Sequence, residues 1–354
     1  MGEVFAGRYE LIDPIASGGM GTVWRVLDRA DGQVKAAKML RQSDAAMLLR
    51  FVREQSLRID HTHIVAPQSW AGVDDRVLFT MPLVAGGSVT QLIQQYGALP
   101  PRWVGRLVDQ TLQALEAVHA AGIVHRDVKP GNLLLEPTGR GVPHLRLTDF
   151  GIAVPVNEAR LTHVAMVIGT PGYMAPEQAL GADPAPSADV YALGMVMVEM
   201  LTATKVPREP GELDIDALRT GVPAHDAVLD LAAAASAHDP AARPTAAQLR
   251  THPALQRLLA LPVDPADPID VRDVFPPIPS GMLAAEQPTT SYAPPATPTP
   301  HLPPPPPPPP LSSGAPTSLH TPAPVDRRAR VLAPALLIVA GLVGLVVSGW
   351  LLVG

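Results

Sequence analysis

Cysteine is absent from the 354 residues, which removes disulfides, thiolate nucleophiles and Cys-ligated zinc from consideration. Aromatic residues amount to only 4%, so any core has to be aliphatic, and a hydrophobic content of 47% is ample for one. The first 260 residues hold no long basic run and the formal charge is -6, a balance that argues against neutralising a phosphate backbone; nucleic acid is not an expected partner. Met1 to Asp13 lacks an apolar h-region, so no signal peptide is expected there. Nor does any internal repeat recur at a period of about 20 to 50 residues.

Proline, by contrast, is in excess. Of 42 prolines, 22 fall between Leu261 and Asp326, including the unbroken run Pro303 to Pro310. Such a stretch is not expected to build a core: the run favours a polyproline II rod of roughly 25 Å, and the flanking Ser, Thr, Ala and Gly favour flexibility. It reads as a tether, the other reading being a ligand for an aromatic-lined groove. Beyond it, Val331 to Val353 gives 23 residues without a charge, enough to cross about 30 Å of hydrocarbon, with Trp350 near one end. Arg327, Arg328 and Arg330 precede this span, so the positive-inside bias places the long N-terminal portion in the cytoplasm. The expected organisation is a globular domain over 1–260, a Pro-rich linker over 261–330 and a single transmembrane helix over 331–353 in the cell membrane.

The globular part divides unequally. From Tyr9 to about Phe79, short Val-rich alternating stretches (Gly21 to Leu27, Val34 to Leu40) surround turn signals, with one amphipathic helix near Ala45 to Ile59. From Ser88 onward helical spacing dominates: Val104, Leu107, Val108, Thr111, Leu112, Leu115 and Val118 share a face that ends at Gly122. Further helices are expected near Asp189 to Leu201, Asp226 to Ala237 and Thr245 to Ala260. An α+β fold of two lobes, small and β-rich then large and helical, would leave a cleft between them, a common place for a ligand.

Three features point into that cleft. Ile15-Ala16-Ser17-Gly18-Gly19-Met20-Gly21-Thr22-Val23 puts glycines between two expected strands, where backbone N–H groups can approach phosphate oxygens without a Cβ in the way. Lys38 sits late in an apolar alternating strand, a costly place for an ammonium without a partner, and Glu54 on the expected helix is the candidate counter-ion. Taken alone, each is also what a turn or a solvated surface charge would look like.

Downstream, His125-Arg126-Asp127-Val128-Lys129-Pro130-Gly131-Asn132 is followed by Asp149-Phe150-Gly151 and Ala175-Pro176-Glu177. In that order these segments resemble the protein kinases of eukaryotic type, and most of all the bacterial membrane-anchored serine/threonine kinases with a Gly-Gly-Met-Gly loop, over about Tyr9 to Leu259. The resemblance implies a bilobal kinase fold and a non-specific serine/threonine protein kinase that uses ATP and Mg²⁺ on protein substrates. It implies a nucleotide site built from Ala16, Ser17, Gly18, Gly19, Met20, Gly21, Val23, Ala36, Lys38, the gatekeeper Met81, the hinge residues Pro82 and Val84, and Leu134 beneath the base. Ala16 stands where the family has its first loop glycine. Lys38, held by Glu54, would meet the α- and β-phosphates. Asp127 would be the catalytic base and Lys129 would face the γ-phosphate, while Asn132 and Asp149 are the implied metal ligands, hard oxygen donors of the kind Mg²⁺ takes. Thr170 matches a structural threonine near Asp127, and Arg243 is expected to pair with Glu177.

Regulation is implied as well. Thr162 is the candidate phosphosite of the activation segment and Arg126 the residue that would pair with its phosphate. A homodimer trans-phosphorylating in the membrane plane is the working expectation, although Gly341 and Gly344 stand three apart and not four as in G-x-x-x-G. The alternative function is a nucleotide-binding pseudokinase that serves as a membrane-tethered scaffold; loss of Lys38, Asp127, Asn132 or Asp149 would favour it, and all four are present.

Overall fold

A computed structural model of the chain describes residues 3–18, 21–41, 59–74, 76–149, 170–183, 185–209, 212–262, 264 and 267–278. The expected helix from Ala45, the Pro-rich run and the apolar stretch from Val331 lie outside them. Among the described residues no helix is long and apolar enough to cross a membrane.

The amino-terminal part is one antiparallel sheet of β1 (Val4–Phe5), β2 (Tyr9–Gly18), β3 (Gly21–Asp28), β4 (Gln33–Arg41), β5 (Ser69–Val73) and β6 (Arg76–Pro82), in the order β1-β2-β3-β4-β6-β5. It begins earlier and ends later than the alternation predicts. Cross-strand partners put side chains on a common face. Ala37 faces Trp24 and Thr80, and this side packs Tyr9, Leu11, Val26 and Leu78 into a small core. The opposite side carries Ala16 against Val23, Val23 against Lys38, and Ala36 against Met81, so one sheet face collects residues with little bulk around a single ammonium.

The β2–β3 hairpin closes with Gly18 opposite Gly21. Gly21 has φ +140°, and a Cβ there would lie 2.1 Å from the Met39 carbonyl oxygen on β4. Only glycine avoids both the strain and the clash. Gly21→Ala is therefore expected to destabilise the domain by about 1–3 kcal/mol, read as a lower urea midpoint, because β3 has to move off β4 beside Lys38.

After the connecting residues 83–88 the chain turns helical: α1 (Val89–Tyr96), α2 (Pro101–Ala120), α3 (Pro176–Ala179), α4 (Pro186–Thr202), α5 (Pro223–Ala235), α6 (Ala246–Arg250) and α7 (Pro253–Leu259), with a short hairpin of β7 (Leu133–Leu135) and β8 (Leu145–Leu147). Ser88 starts α1 with a capping box to Gln91. The apolar stripe of α2 buries Leu107, Leu112 and Leu115 in the same core as Leu193 and Met197 of α4. That fourth helix is apolar all round, with Ala188 through Leu201 buried, and forms the interior of this half.

Two expectations need correction. The helix placed over Thr245 to Ala260 is two helices, since Pro253 supplies no N–H to the preceding turn and instead opens α7. And the folded body does not stop at 260: Ile269 and Val271, assigned by composition to the linker, are buried in the helical core.

Candidate active site

The loop between α2 and β7 is held from below by one carboxylate. Asp189, in the first turn of α4 and almost wholly buried, accepts from the backbone N–H groups of His125 (2.8 Å) and Arg126 (2.7 Å) and contacts His119 Nε2 at 2.8 Å. Two backbone donors on one carboxylate fix the turn and support a left-handed φ of +69° at Arg126, uncommon for a residue with a Cβ. His125 Nε2 lies 3.1 Å from the Thr148 carbonyl, and the Thr148 N–H donates to the Asn132 carbonyl at 2.9 Å. The loop is thus stitched to the residue just before Asp149.

On this frame the side chains converge on Asp127. Its Oδ2 accepts from Lys129 Nζ at 2.7 Å and from Asn132 Nδ2 at 2.9 Å, and its Oδ1 accepts from Thr170 Oγ1 at 2.8 Å. Lys129 Nζ also donates to Thr170 Oγ1 at 3.0 Å. Asn132 lies in a 3-10 turn, Pro130–Asn132, and gives a further bond to the Asp127 carbonyl at 2.7 Å. With its amide nitrogen engaged on Asp127, the amide oxygen of Asn132 is the end left for a cation.

From the sheet, Lys38 Nζ donates to Asp149 Oδ1 at 2.6 Å, an ion pair between residues 111 apart in sequence. Asp149 has φ +53°, so the chain turns sharply where this carboxylate is presented. Glu54, the partner expected for Lys38, lies outside the described residues, as do Gly19, Met20 and Thr162. Ala16, Ser17, Gly18, Gly21, Val23 and Ala36 are on β2–β4, Met81 and Pro82 end β6, and Val84 is buried in the connection. Leu134 is half-buried between the buried Leu133 and Leu135, and therefore faces away from the helical core. Of these, Ala16, Val23, Ala36 and Met81 share the sheet face of Lys38, and the Lys38–Asp149 pair joins that face to the chain just after β8. An all-protein metal cage of three or more His, Asp or Glu groups is not found among the described residues. Asp149 with Asn132 is a two-oxygen donor set, which fits Mg²⁺ bound largely through phosphates and water.

Beside the loop, Arg243 pairs with Glu177 through Nη1 at 2.6 Å and Nη2 at 2.8 Å, as expected. Burial pushes the Glu177 carboxyl up, but the Arg243 hydrogen bonds outweigh it and hold it below the ordinary range. Sequence reading missed a second buried carboxylate: Glu199 accepts from the Tyr173 hydroxyl and from Lys205 Nζ at 2.5 Å. Burial, and then Glu199, raise the Tyr173 phenol well above its usual value, so it stays a donor. The polar stretch that starts at Lys205 therefore begins as a brace for the segment around Gly172 and Tyr173.

Two histidines near the loop make stability depend on pH. Burial lowers the pKa of His125 and of His63, whose ring packs at 4.9 Å on His144 and 5.7 Å on His61 while Nδ1 contacts the Leu145 carbonyl at 2.7 Å. Asp189, Asp127 and Asp149 act on His125 in the opposite direction, and Asp109 on His63, without reversing either shift. The folded state resists a proton that the unfolded state takes near pH 6.5, so stability is full above that value and falls below it. Stability from pH 8 to 5 should fall most below about pH 6.5, by up to about 1.4 kcal/mol per pH unit for each histidine; the amount by which the profile of His63→Gln is shallower than the parent's, His125 still titrating, assigns the share of His63.

The comparisons agree with this geometry. The model of the protein kinase domain matches residues 9–255. The chain is 38% identical over 225 residues to serine/threonine-protein kinase PknA of Mycobacterium tuberculosis (strain ATCC 25618 / H37Rv), which covers 61% of this chain and 51% of PknA. It is 37% identical over 211 residues to serine/threonine-protein kinase PkaA of Streptomyces coelicolor, covering 55% and 39% of the two chains, and 34% identical over 207 residues to serine/threonine-protein kinase PrkC of Bacillus subtilis, covering 57% and 31%. The chain spans about half the length of these curated relatives, or less. With a cross-lobe lysine–aspartate pair, an aspartate ringed by Lys129, Asn132 and Thr170, and a family match over most of its folded part, the chain belongs to the protein kinase domain family.

Proposed function

We propose that this chain is a serine/threonine protein kinase that transfers the γ-phosphate of ATP to Ser or Thr hydroxyls of proteins. The observation that carries the reading is the ring of three donors on Asp127, from Lys129, Asn132 and Thr170. Phosphoryl transfer asks little covalent work of a protein, so positioning and charge neutralisation supply most of the rate.

The residues divide that work as follows. Asp127 accepts the hydrogen bond of the incoming hydroxyl, orients its oxygen toward phosphorus and takes its proton late. Lys129, held between Asp127 and Thr170, neutralises charge on the transferring group. A lysine two residues after the aspartate, bonded to Thr170, supports a Ser/Thr acceptor. Lys38 exchanges Asp149 for the α- and β-phosphates, or bridges both, and holds the nucleotide's tail in line. Asp149 and the amide oxygen of Asn132 would hold Mg²⁺, which when bound neutralises the β- and γ-phosphate oxygens. Val23, Ala36, Met81, Pro82, Val84 and Leu134 line the base, and the β2–β3 hairpin from Ala16 to Gly21 covers the phosphates.

Activation through Thr162 phosphate on Arg126, tethering by 331–353 and a homodimer are parts of the same proposal that rest on the sequence. The test is incubation of the purified chain with Mg²⁺ and γ-labelled ATP and a generic basic acceptor protein. Label in phosphoserine or phosphothreonine, lost on chelating Mg²⁺, is the expected result; label no greater than in Lys38→Met would overturn the reading.

A further inference from the structure

Residues 267–276, which composition assigns to a structureless tether, run in irregular conformation from α2 to β3, touching both halves of the domain. At its start the Asp267 carboxylate accepts from Trp103 Nε1 on α2 at 3.1 Å. Asp270 then exchanges bonds with the Tyr96 hydroxyl at the end of α1: its N–H donates at 3.1 Å and its carbonyl accepts at 3.0 Å. Val271 and Gly139 exchange both backbone bonds at 2.9 Å, one rung of an antiparallel ladder. Three residues on, the Val274 N–H donates to the carbonyl of Ala85, next to Val84 in the connection between the lobes, at 2.9 Å. Finally Phe275 lies under the Arg25 guanidinium, 5.1 Å from ring centre to Cζ, and Arg25 Nη1 donates to the Pro276 carbonyl at 2.7 Å. Arg25 is on β3, two residues beyond Val23 and on the same sheet face, and its other nitrogens are fixed on Asp13.

The sequence beneath is shaped for this. A Cβ on Gly86 would come 2.5 Å from the Leu135 carbonyl oxygen and 2.8 Å from Val271 Cγ1, and one on Gly87, where φ is +80°, would come 2.7 Å from Gln91 Oε1 and 3.3 Å from Val274 Cγ1. Two consecutive glycines where the lobes join thus let the connection lie close to β7 and α1 and leave room beside it for these valines. The segment therefore has backbone bonds to the helical half and to the connection, and a side-chain anchor on the sheet half.

We propose that Asp267–Pro276 is a strap that ties the two halves together along their connection and thereby sets nucleotide affinity, a role that rests on the kinase reading above. A nucleotide held between lobes binds the closed arrangement; a strap fastened to both restricts opening, so its release lowers the competent fraction and weakens binding by that fraction, leaving the transfer step itself alone. Chain that leaves the strap at Pro276 thereby gains a mechanical hold on the cleft.

The test uses the full chain in detergent. Val274→Pro removes the N–H given to Ala85 and Phe275→Ala the ring under Arg25; both side chains are exposed or half-exposed, so the double variant should fold. Because the chain has no cysteine, Ala30→Cys and Val222→Cys, both at exposed sites, place spin labels on the sheet and helical halves and on no other residue. Expected in the parent is slow amide exchange at Val271 and Val274 relative to Arg272 and Asp273. Expected in the double variant are a longer and broader interlabel distance and about a five-fold weaker affinity for a fluorescent ADP, with kcat within two-fold; Phe275→Tyr, which keeps the ring, should behave as the parent. Fast exchange at both valines in the parent overturns the proposal, as do unchanged distance and affinity in a variant whose Val271 amide has become exposed. A parent chain that binds no nucleotide would instead sink the kinase reading, and the label distance then decides the strap by itself.

Discussion

Asp127→Asn is expected to reduce phosphoryl transfer by about 10²- to 10⁴-fold while leaving the melting temperature and ADP affinity near those of the parent. The side chain keeps its volume and one oxygen. In the parent Oδ2 accepts from Lys129 and Asn132 and Oδ1 from Thr170, so every donor around the carboxylate points inward. Asparagine can keep its oxygen toward Lys129 and Asn132 and turn its amide nitrogen to the Thr170 hydroxyl, which accepts as well as donates, but that oxygen no longer carries a charge able to draw a proton from the substrate hydroxyl. Steady-state transfer to a protein acceptor, with parallel ADP titration, separates this from a folding defect. If activity stays within about three-fold of the parent, Asp127 is not the group that receives the proton.

The second large effect is on stability. Arg243 is completely buried and uses all five of its N–H donors: Nε to the Ala237 carbonyl, Nη1 to Glu177 and the Ser187 carbonyl, Nη2 to Glu177 and the His238 carbonyl. Its guanidinium also stacks 4.9 Å from the Tyr191 ring. Glu177→Ala leaves this cation in place with two donors and its charge uncompensated, which should cost about 3–5 kcal/mol and lower the melting temperature by about 10 °C. Glu177→Ala combined with Arg243→Leu should recover part of that loss, since removing both partners strands no buried charge. A double variant no better than the single would mean that Arg243 acts through its three carbonyl contacts and not through the carboxylate.

How far the molecule could be read in advance depended on how local each contact is. Asp127, Lys129 and Asn132 fall within six residues, so the turn that joins them is almost written out in the motif. Lys38 and Asp149 are 111 residues apart, and no spacing rule links them; the resemblance placed both in the cleft, while their direct bond was not foreseen. The Asp189 grip on His125 and Arg126 spans more than sixty residues and likewise leaves no periodic trace. The Glu199 brace under Tyr173 hid for a different reason, because a carboxylate in an apolar helix reads as an irregularity until its donors are seen. The strap escaped notice because prolines at 268, 276 and 277 set the composition of its neighbourhood. A signal was nevertheless there: Ile269 and Val271, separated by Asp270 and followed by Arg272, alternate with a period of two, and both apolar members are buried.

The attachment of the His125–Arg126 turn to Asp189 has a thermal corollary. Its anchor is the opening turn of α4, a rod surrounded by other helices and among the last parts of such a body to loosen on heating. Catalytic competence is therefore coupled to the most refractory piece of the architecture. Warming should leave turnover intact while peripheral elements soften, and then extinguish it over the same few degrees in which the interior melts.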